Sequence, residues 1–220
     1  MAEKIILGLG LPAYGAKVAM WQTDMWLQLG FALATSETRF ELRATPKVDV
    51  CGIDVARNRL LDESIEAGLD WLLLVDADTW HDDNGCGYDL LQMISDADRA
   101  GNVGIVAAPV PRRDPNNTQF MIYDKFPHHM DQKLYDGRLA ECETVATALC
   151  AINIGIAKRL RLPWFKFEWQ DDSLRLLSED VYFCRKVREA GFKVAVDGRF
   201  RAKHLQRPEI LKGPSIVLGT

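Results

Sequence analysis

The chain has 220 residues, of which 48% are apolar, so it can bury one sizeable core and is expected to form a single domain over residues 1–220. Its formal net charge of -4 gives no general electrostatic reason to expect nucleic acid binding, although a local basic patch is compatible with that charge. No apolar run approaches the roughly 20 residues of a membrane span, and the apolar stretch after Lys4 is too short for a signal peptide.

The five cysteines indicate a reducing compartment. They are scattered along the chain, odd in number and never spaced as C-x-x-C. This pattern favours reduced thiols and argues against a structural zinc site. We therefore expect a cytoplasmic protein.

Hydrophobic patterning predicts alternating strands and helices in the first half of the chain. Strands are expected at 4–10, 38–44, 71–75 and 103–110, with helices at 16–34, 54–68 and 88–100. Asp54 is expected to cap the second helix and Gly68 to end it. Trp71 to Val75 is an uninterrupted apolar run, which is typical of a central parallel strand covered on both faces. The predicted class is α/β, with a mixed, mainly parallel central sheet flanked by helices.

The second half is expected to be richer in loops. Strands are predicted at 119–123, 141–154 and 193–196, with a turn-rich loop at 111–117 and a basic tail at 199–212. Asp136-Gly137 predicts a hairpin turn, and Ser178 is expected to cap a helix at 179–190 that Gly191 ends. This change from alternating strands and helices to a loop-rich pattern suggests nucleotide recognition by residues 1–110 and acceptor recognition by residues 111–220.

Asp76 and Asp78 follow the central strand at its carboxyl end. In open α/β sheets, ligands bind beyond the carboxyl ends of the strands. If the segment is extended, residues two apart point to the same side, so both carboxylates can face one ligand. Two hard oxygen donors suit Mg²⁺ or Mn²⁺, which commonly bind together with a phosphate. The simpler interpretation is that Asp76 caps the strand end and Asp78 is a solvated loop residue.

Two further sites carry groups suited to catalysis. Glu179 and Asp180 fall in the first turn of a predicted helix, whose N-terminus favours ionised carboxylates and thus a general base; a purely capping role is the alternative. His204 follows the last strand, where a neutral imidazole can complete a metal site, although a lone surface histidine often has no such role. The pattern Gly8-x-Gly10-x-x-Ala13 imitates a dinucleotide fingerprint, but a tight strand-to-helix turn explains it better.

The joint order of these motifs resembles the GT-A glycosyltransferases. The sequence looks most like the large inverting, nucleotide-sugar-using family that has short bacterial and phage members. Shared features are the strand with Asp76-Ala77-Asp78, the helix that opens with Ser178-Glu179-Asp180-Val181, and His204 after Val196-Asp197. Similar segments are Ala56-Arg57-Asn58, the Pro12-x-Tyr14 turn, Val145-Ala146-Thr147-Ala148 and Ile152-Asn153-Ile154. The family usually has Gly-Thr-Gly where this chain has Ala146-Thr147-Ala148.

The resemblance implies a GT-A (Rossmann-like) nucleotide-diphospho-sugar transferase fold and a metal-dependent glycosyltransferase of the hexosyltransferase type. It implies that Asp78 and His204 bind Mn²⁺ or Mg²⁺ and that Asp76 contacts the ribose or sugar of the donor. Asp180, or its neighbour Glu179, would be the catalytic base. Pro12, Tyr14 and Arg57 would line the nucleotide pocket. The donor would be a UDP- or GDP-linked sugar, and the acceptor a hydroxyl on a glycan, lipid, protein or modified DNA base.

Two other functions are compatible with the residues. A Mg²⁺-dependent aspartyl phosphatase or phosphotransferase also uses D-x-D after an apolar strand, but it continues with Gly-Thr where this chain has Thr79-Trp80. An inactive nucleotide-sugar or glycan-binding module would keep the fold without turnover. The aromatic residues Trp164, Phe165, Phe167 and Trp169 before the acidic helix are either an acceptor platform or a hydrophobic plug.

Overall fold

A computed structural model describes residues 4–12, 20–35, 39–44, 47–48, 51–81, 86–112, 119–170 and 176–205. The helices are α1 (Met20–Thr35), α2 (Ile53–Glu66), α3 (Cys86–Ala100), α4 (Ile154–Ala157) and α5 (Glu179–Glu189), with a 3-10 turn at Gln132–Leu134. The strands are β1 (Ile5–Pro12), β2 (Phe40–Ala44), β3 (Lys47–Val48), β4 (Trp71–Val75), β5 (Thr79–Trp80), β6 (Val103–Ala107), β7 (Ile122–Lys125), β8 (His128–His129), β9 (Leu139–Cys142), β10 (Thr144–Val145), β11 (Leu149–Asn153), β12 (Glu168–Trp169), β13 (Leu176–Leu177), β14 (Lys193–Asp197) and β15 (Lys203–His204). None of the helices within these ranges is long and apolar enough to cross a membrane.

The central sheet has the strand order β2-β1-β4-β11-β6-β14-β9, and β3 pairs with the end of β1. The pairs β1–β2, β1–β4 and β6–β14 are parallel, whereas β11 is antiparallel to both β4 and β6, and β9 is antiparallel to β14. The prediction of a mixed, mainly parallel sheet flanked by helices is confirmed. From β1 the chain crosses to β2 on one side and then to β4 on the other. In open α/β sheets, ligands bind where the strand order changes direction in this way, which here is at the carboxyl ends of β1 and β4.

The core lies on both faces of the sheet, and β4 contributes to each. Trp71, Leu73 and Val75 pack with residues of α1 and α3, whereas Leu72 and Leu74 pack with residues of α2, α4 and α5. All five β4 side chains are buried, as their uninterrupted apolar run predicts. Helices on both faces therefore hold β4 at the centre of the sheet and fix the position of the residues that follow it.

The second half differs from the sequence prediction in how its strands are divided. The expected strand at 141–154 is split among β9, β10, β11 and α4, and the Asn153 side chain caps α4 by accepting from Ile156 N at 3.0 Å. The pairings explain the split, because β9 joins β14, β10 joins β7, and β11 joins β4 and β6. The hairpin prediction at Asp136-Gly137 is wrong: a turn is present, but the flanking strands β8 and β9 pair with β7 and β14.

The helix ends also depart from the prediction. Gly52, not Asp54, occupies the N-cap of α2, and Asp54 lies in the first turn. Ser178 does precede α5, but its side chain makes no capping hydrogen bond. Gly68 and Gly191 follow α2 and α5 as predicted, with φ of +65° and +83° that favour glycine.

The contact between α1 and α3 predicts opposite effects for two glycines. A Cβ at Gly87 would lie 2.4 Å from the carbonyl oxygen of Gln28, whereas a Cβ at Gly30 meets nothing within 4 Å. Gly87→Ala should lower the free energy of unfolding by about 1–3 kcal/mol, because the helices must separate. Gly30→Ala, inside α1, should raise it by about 1 kcal/mol. Urea unfolding measures both, and a Gly87→Ala midpoint at or above that of the wild type would contradict the packing.

Candidate active site

Two of the predicted site residues, Pro12 and Asp76, lie at the carboxyl ends of β1 and β4. Pro12 ends β1, and Asp76 directly follows β4, where its backbone N donates to Ala148 O at 2.8 Å. That bond places the segment before β11 beside the end of β4. Thr147 in this segment in turn contacts Asp180 at the start of α5. Residues from both halves of the sequence thus meet beside the end of β4. Tyr14 lies outside the described residues.

Asp76 and Asp78 do not lie on an extended segment. The chain turns at residues 76–79, and Thr79 N donates to Asp76 O at 3.0 Å. The alternation argument for these two side chains is therefore wrong. Their described contacts also differ, because Asp76 binds Arg57 and Asp78 lies beside His204. The D-x-D motif thus contributes to two neighbouring groups of side chains.

Arg57, from the second turn of α2, joins three carboxylates. Its Nη2 donates to both oxygens of Asp76 at 3.0 and 2.9 Å, and its Nη1 donates to Glu179 Oε1 at 2.5 Å and Asp180 Oδ1 at 2.9 Å. The Arg57 side chain is only 3% exposed. We call these four residues the Arg57 cluster. Because an arginine presents its donors in a rigid fork, one side chain can orient carboxylates from β4 and α5 together.

The Arg57 cluster carries more negative than positive charge. Burial of the guanidinium opposes its charged form, but Asp76, Asp180 and Glu179 outweigh that effect and raise the pKa of Arg57. Burial, with a further contribution from the charge of Asp180, raises the pKa of Glu179 to about 7, although Arg57 acts in the opposite direction. Burial likewise raises the pKa of Asp76 against the influence of Arg57. Near neutral pH, part of the Glu179 population therefore retains its proton.

Asp180 is the more accessible member of that acidic pair. Its side chain is 22% exposed, compared with 9% for Glu179. The buried Thr147 hydroxyl donates to Asp180 Oδ1 at 2.5 Å, and Arg57 donates to the same oxygen. Both described bonds converge on Oδ1, so Oδ2 is the oxygen left to accept a proton from a ligand. The sequence pattern did not single out Thr147 as a site residue, because a threonine beside a strand is ordinarily structural.

Asp78 and His204 form the second group. His204 lies on β15, which pairs with β5 directly after Asp78, and the His204 Nε2 atom is 3.6 Å from Asp78 Oδ1. The Nδ1 atom is 2.9 Å from Pro111 O. Since a carbonyl oxygen only accepts, Nδ1 carries the hydrogen, and in the neutral imidazole Nε2 carries the lone pair on the side of Asp78.

A carboxylate and an imidazole in this arrangement can together bind a divalent cation. A carboxylate oxygen and an imidazole nitrogen are both metal ligands, and a backbone carbonyl that fixes the histidine tautomer is the usual outer support of such a ligand. Within the described ranges, no three His, Cys, Asp or Glu side chains group to hold a metal ion. Two protein ligands are still compatible with Mg²⁺-like ions, which retain several waters and bind substrate phosphates.

Asn58 and buried aromatic residues lie next to the Arg57 cluster. Asn58 accepts from Trp164 N and Phe165 N through Oδ1 at 2.9 and 3.1 Å, which ties the aromatic loop to α2. Phe165 stacks on Phe183 of α5 with a centroid distance of 4.5 Å, and the Arg57 guanidinium lies 5.8 Å from the Phe165 ring centre. Trp164 and Phe165 are therefore a hydrophobic plug.

The other two aromatic residues of that loop are exposed. Phe167 is 39% exposed and Trp169 is 63% exposed. Trp169 pairs with Leu176 across the β12–β13 hairpin, and Ser178 and α5 directly follow β13. These two rings remain compatible with the predicted acceptor platform.

The raised pKa of Glu179 predicts how stability depends on pH. Between pH 4.5 and pH 7 the folded state holds the Glu179 proton more tightly than the unfolded state, so wild-type stability falls as pH rises. Glu179→Gln removes this loss. Its free energy of unfolding relative to the wild type should rise by about 3 kcal/mol across that window, at 1.36 kcal/mol per pKa unit.

Urea unfolding at several pH values tests this expectation. Glu189→Gln, on the exposed end of the same helix, measures the general effect of the substitution. A Glu179→Gln difference that stays constant from pH 4.5 to pH 7 would show that folding does not raise the pKa of Glu179.

The chain is similar to known proteins in structure and not in sequence. No protein-family model matches the chain, and no curated protein matches it by sequence. The crystal structure of A197 from STIV is similar, with a TM-score of 0.59 at 15% identity over 91% of this chain and 86% of that chain. The crystal structure of GalNAc-T7 with UDP, GalNAc and Mn²⁺ has a TM-score of 0.53 at 11% identity. That alignment covers 95% of this chain but only 45% of GalNAc-T7. At these identities the likeness concerns the fold alone, a mixed α/β sheet flanked by helices.

Proposed function

We propose that this protein is a metal-dependent glycosyltransferase that moves a sugar from a nucleoside-diphosphate sugar to a hydroxyl acceptor. The observation that carries the proposal is a pair of neighbouring groups near the carboxyl end of β4. In one group Asp76 and Asp180 bind Arg57, and in the other Asp78 lies beside His204. The similarity to a structure holding UDP and Mn²⁺ supports a nucleotide sugar as donor and Mn²⁺ or Mg²⁺ as cofactor. Residues 1–110 would form the donor half of one domain, and residues 111–220 the acceptor half.

Asp78 and His204 are assigned to the cation. A bound divalent ion would neutralise the charge that develops on the nucleoside diphosphate as it leaves. The Pro111 carbonyl keeps the His204 tautomer suitable for ligation. Asp76, Pro12 and Tyr14 are assigned to the donor side, with Asp76 near the ribose or sugar of a UDP- or GDP-linked donor. Arg57, which the resemblance adds to the nucleotide pocket, is assigned to the support of Asp76, because its described hydrogen bonds go to protein carboxylates.

Asp180 is assigned as the general base, with Glu179 as its neighbour. In an inverting transfer, a carboxylate removes the proton of the incoming hydroxyl as the bond to the sugar forms. Asp180 is more exposed than Glu179, and Thr147 and Arg57 hold one of its oxygens. Glu179 is the weaker candidate because its side chain is only 9% exposed and is less accessible to an acceptor hydroxyl.

The geometry disfavours the aspartyl phosphatase alternative. A nucleophilic carboxylate must present an oxygen to phosphorus, but both oxygens of Asp76 accept hydrogen bonds from the guanidinium of Arg57. Breaking that buried ion pair would leave an uncompensated charge, which is strongly unfavourable.

Removal of the Asp78 carboxylate should abolish cation-dependent nucleotide binding. We expect one family of nucleotide sugars or nucleoside diphosphates to raise the melting temperature of the wild type only with Mn²⁺, since a ligand at 100 times its Kd adds about 2.7 kcal/mol. Asp78→Asn should lose this shift. Asp62→Asn, at an exposed position of α2, should retain it. If excess chelator leaves the rise in melting temperature unchanged, the proposed role of the cation is wrong.

Removal of the base should separate binding from transfer. Asp180→Asn should bind the donor and Mn²⁺ as the wild type does, because Asp180 lies on the acceptor side. Its turnover, measured as release of the nucleoside diphosphate, should fall by about 10²–10⁴-fold. Glu179→Gln should cause a smaller loss. Full activity in Asp180→Asn, with activity lost in Glu179→Gln, would transfer the role of base to Glu179.

A further inference from the structure

The donors of Arg57 are directed at carboxylates of the protein. Nη2 binds both oxygens of Asp76, and Nη1 is shared between Glu179 and Asp180. The remaining donor, Nε, is buried and has no hydrogen-bond partner in the described part of the chain. With a side chain only 3% exposed, Arg57 could reach a bound diphosphate only by giving up one of these partners.

The carboxylates that Arg57 joins have different proposed tasks. Asp76 follows β4 and belongs to the donor side, whereas Glu179 and Asp180 open α5 and belong to the acceptor side. Asp76 is more than 100 residues away in sequence from Glu179 and Asp180. The atoms that bind them, Nη2 and Nη1, belong to the one planar guanidinium of Arg57. A single rigid side chain therefore connects Asp76 to Asp180.

We propose that Arg57 is a positioning residue that couples the donor side to the catalytic base and acts on substrate only through Asp76, Glu179 and Asp180. This inference rests on the proposed function for its meaning in catalysis. The coupling itself is a property of the free protein. Thr147 completes the arrangement, because its hydroxyl and Arg57 Nη1 meet at Asp180 Oδ1 and direct proton acceptance to Oδ2.

The chemistry explains why arginine and not lysine stands at this position. A lysine ammonium keeps the charge but lacks the planar fork that binds Asp76 with one nitrogen and the α5 carboxylates with the other. Arg57→Lys should preserve much of the charge balance of the buried cluster and lose the shared geometry. Arg39→Lys is the matched control, because Arg39 binds Asp98 at 3.0 Å beside the amino end of β1.

The first experiment compares UDP binding and turnover in the two arginine variants. For Arg57→Lys we expect the Kd for UDP with Mn²⁺, measured by calorimetry, to stay within about threefold of the wild type. Nucleotide release from the donor sugar should fall at least tenfold in kcat with little change in KM. Arg39→Lys should match the wild type in both. A tenfold weaker UDP affinity in Arg57→Lys with unchanged kcat would show a direct donor contact and overturn the inference.

A second experiment measures the coupling without any substrate. The carboxyl ¹³C resonance of Asp180 is compared before and after Asp76→Asn, once in the wild-type background and once in Arg57→Lys. The resonance should move further in the wild-type background than in Arg57→Lys, where only the direct electrostatic effect of the Asp76 charge remains. Movement of equal size in both backgrounds would overturn the coupling. If Arg57→Lys does not fold, Thr147→Val serves in its place, because it leaves Arg57 intact and should weaken the transmitted shift.

The two experiments distinguish the failure of each proposal. A wild type that neither binds nor releases any nucleoside diphosphate would refute the proposed glycosyltransferase function. The resonance measurement would still decide whether Arg57 transmits a change from Asp76 to Asp180.

Discussion

The buried guanidinium of Arg57 must balance several carboxylates at once, and the arrangement of the site depends on this requirement. Charges withdrawn from water are tolerated only when they are paired and hydrogen bonded, so α2, the end of β4 and the start of α5 must meet at fixed distances. The guanidinium of Arg57 offsets the repulsion between the carboxylates of Asp76 and Asp180, which both bind it. The ion pairs therefore define the relation between the two sides of the site.

The sheet makes that meeting possible. The chain crosses over to β2 on one side of β1 and to β4 on the other, and the site lies at the carboxyl ends of the parallel pair β1–β4. The antiparallel strand β11 begins beside the carboxyl end of β4, which brings Thr147 to this place. Helices on both faces bury β4 and keep its end in place. A rigid scaffold of this kind positions reacting groups better than flexible loops can. The surplus of negative charge in the cluster, together with Asp78 nearby, also favours a cation close to the site.

The fold is more widely shared than the sequence. Two solved structures with 15% and 11% identity have the same general arrangement, while no protein-family model matches. The constraint that persists at such distances is the pattern of buried strands, which many apolar sequences satisfy. Function must therefore be argued from the particular side chains at the sheet edge. The proposed roles of Asp78, Asp180 and His204 rest on their chemistry and mutual placement.

By itself, the sequence determined the fold class, the central strand Trp71–Val75 and the helix beginning at Glu179, because local periodicity and helix-end signals encode them. It also pointed to Asp76 and Asp180 as site residues by their positions after a strand and at a helix start. Only the tertiary structure decided that Asp76 and Asp78 lie in a turn and have different partners. Only the tertiary structure joined Arg57 and Thr147 to Asp180, since contacts between distant residues depend on packing and leave no local pattern.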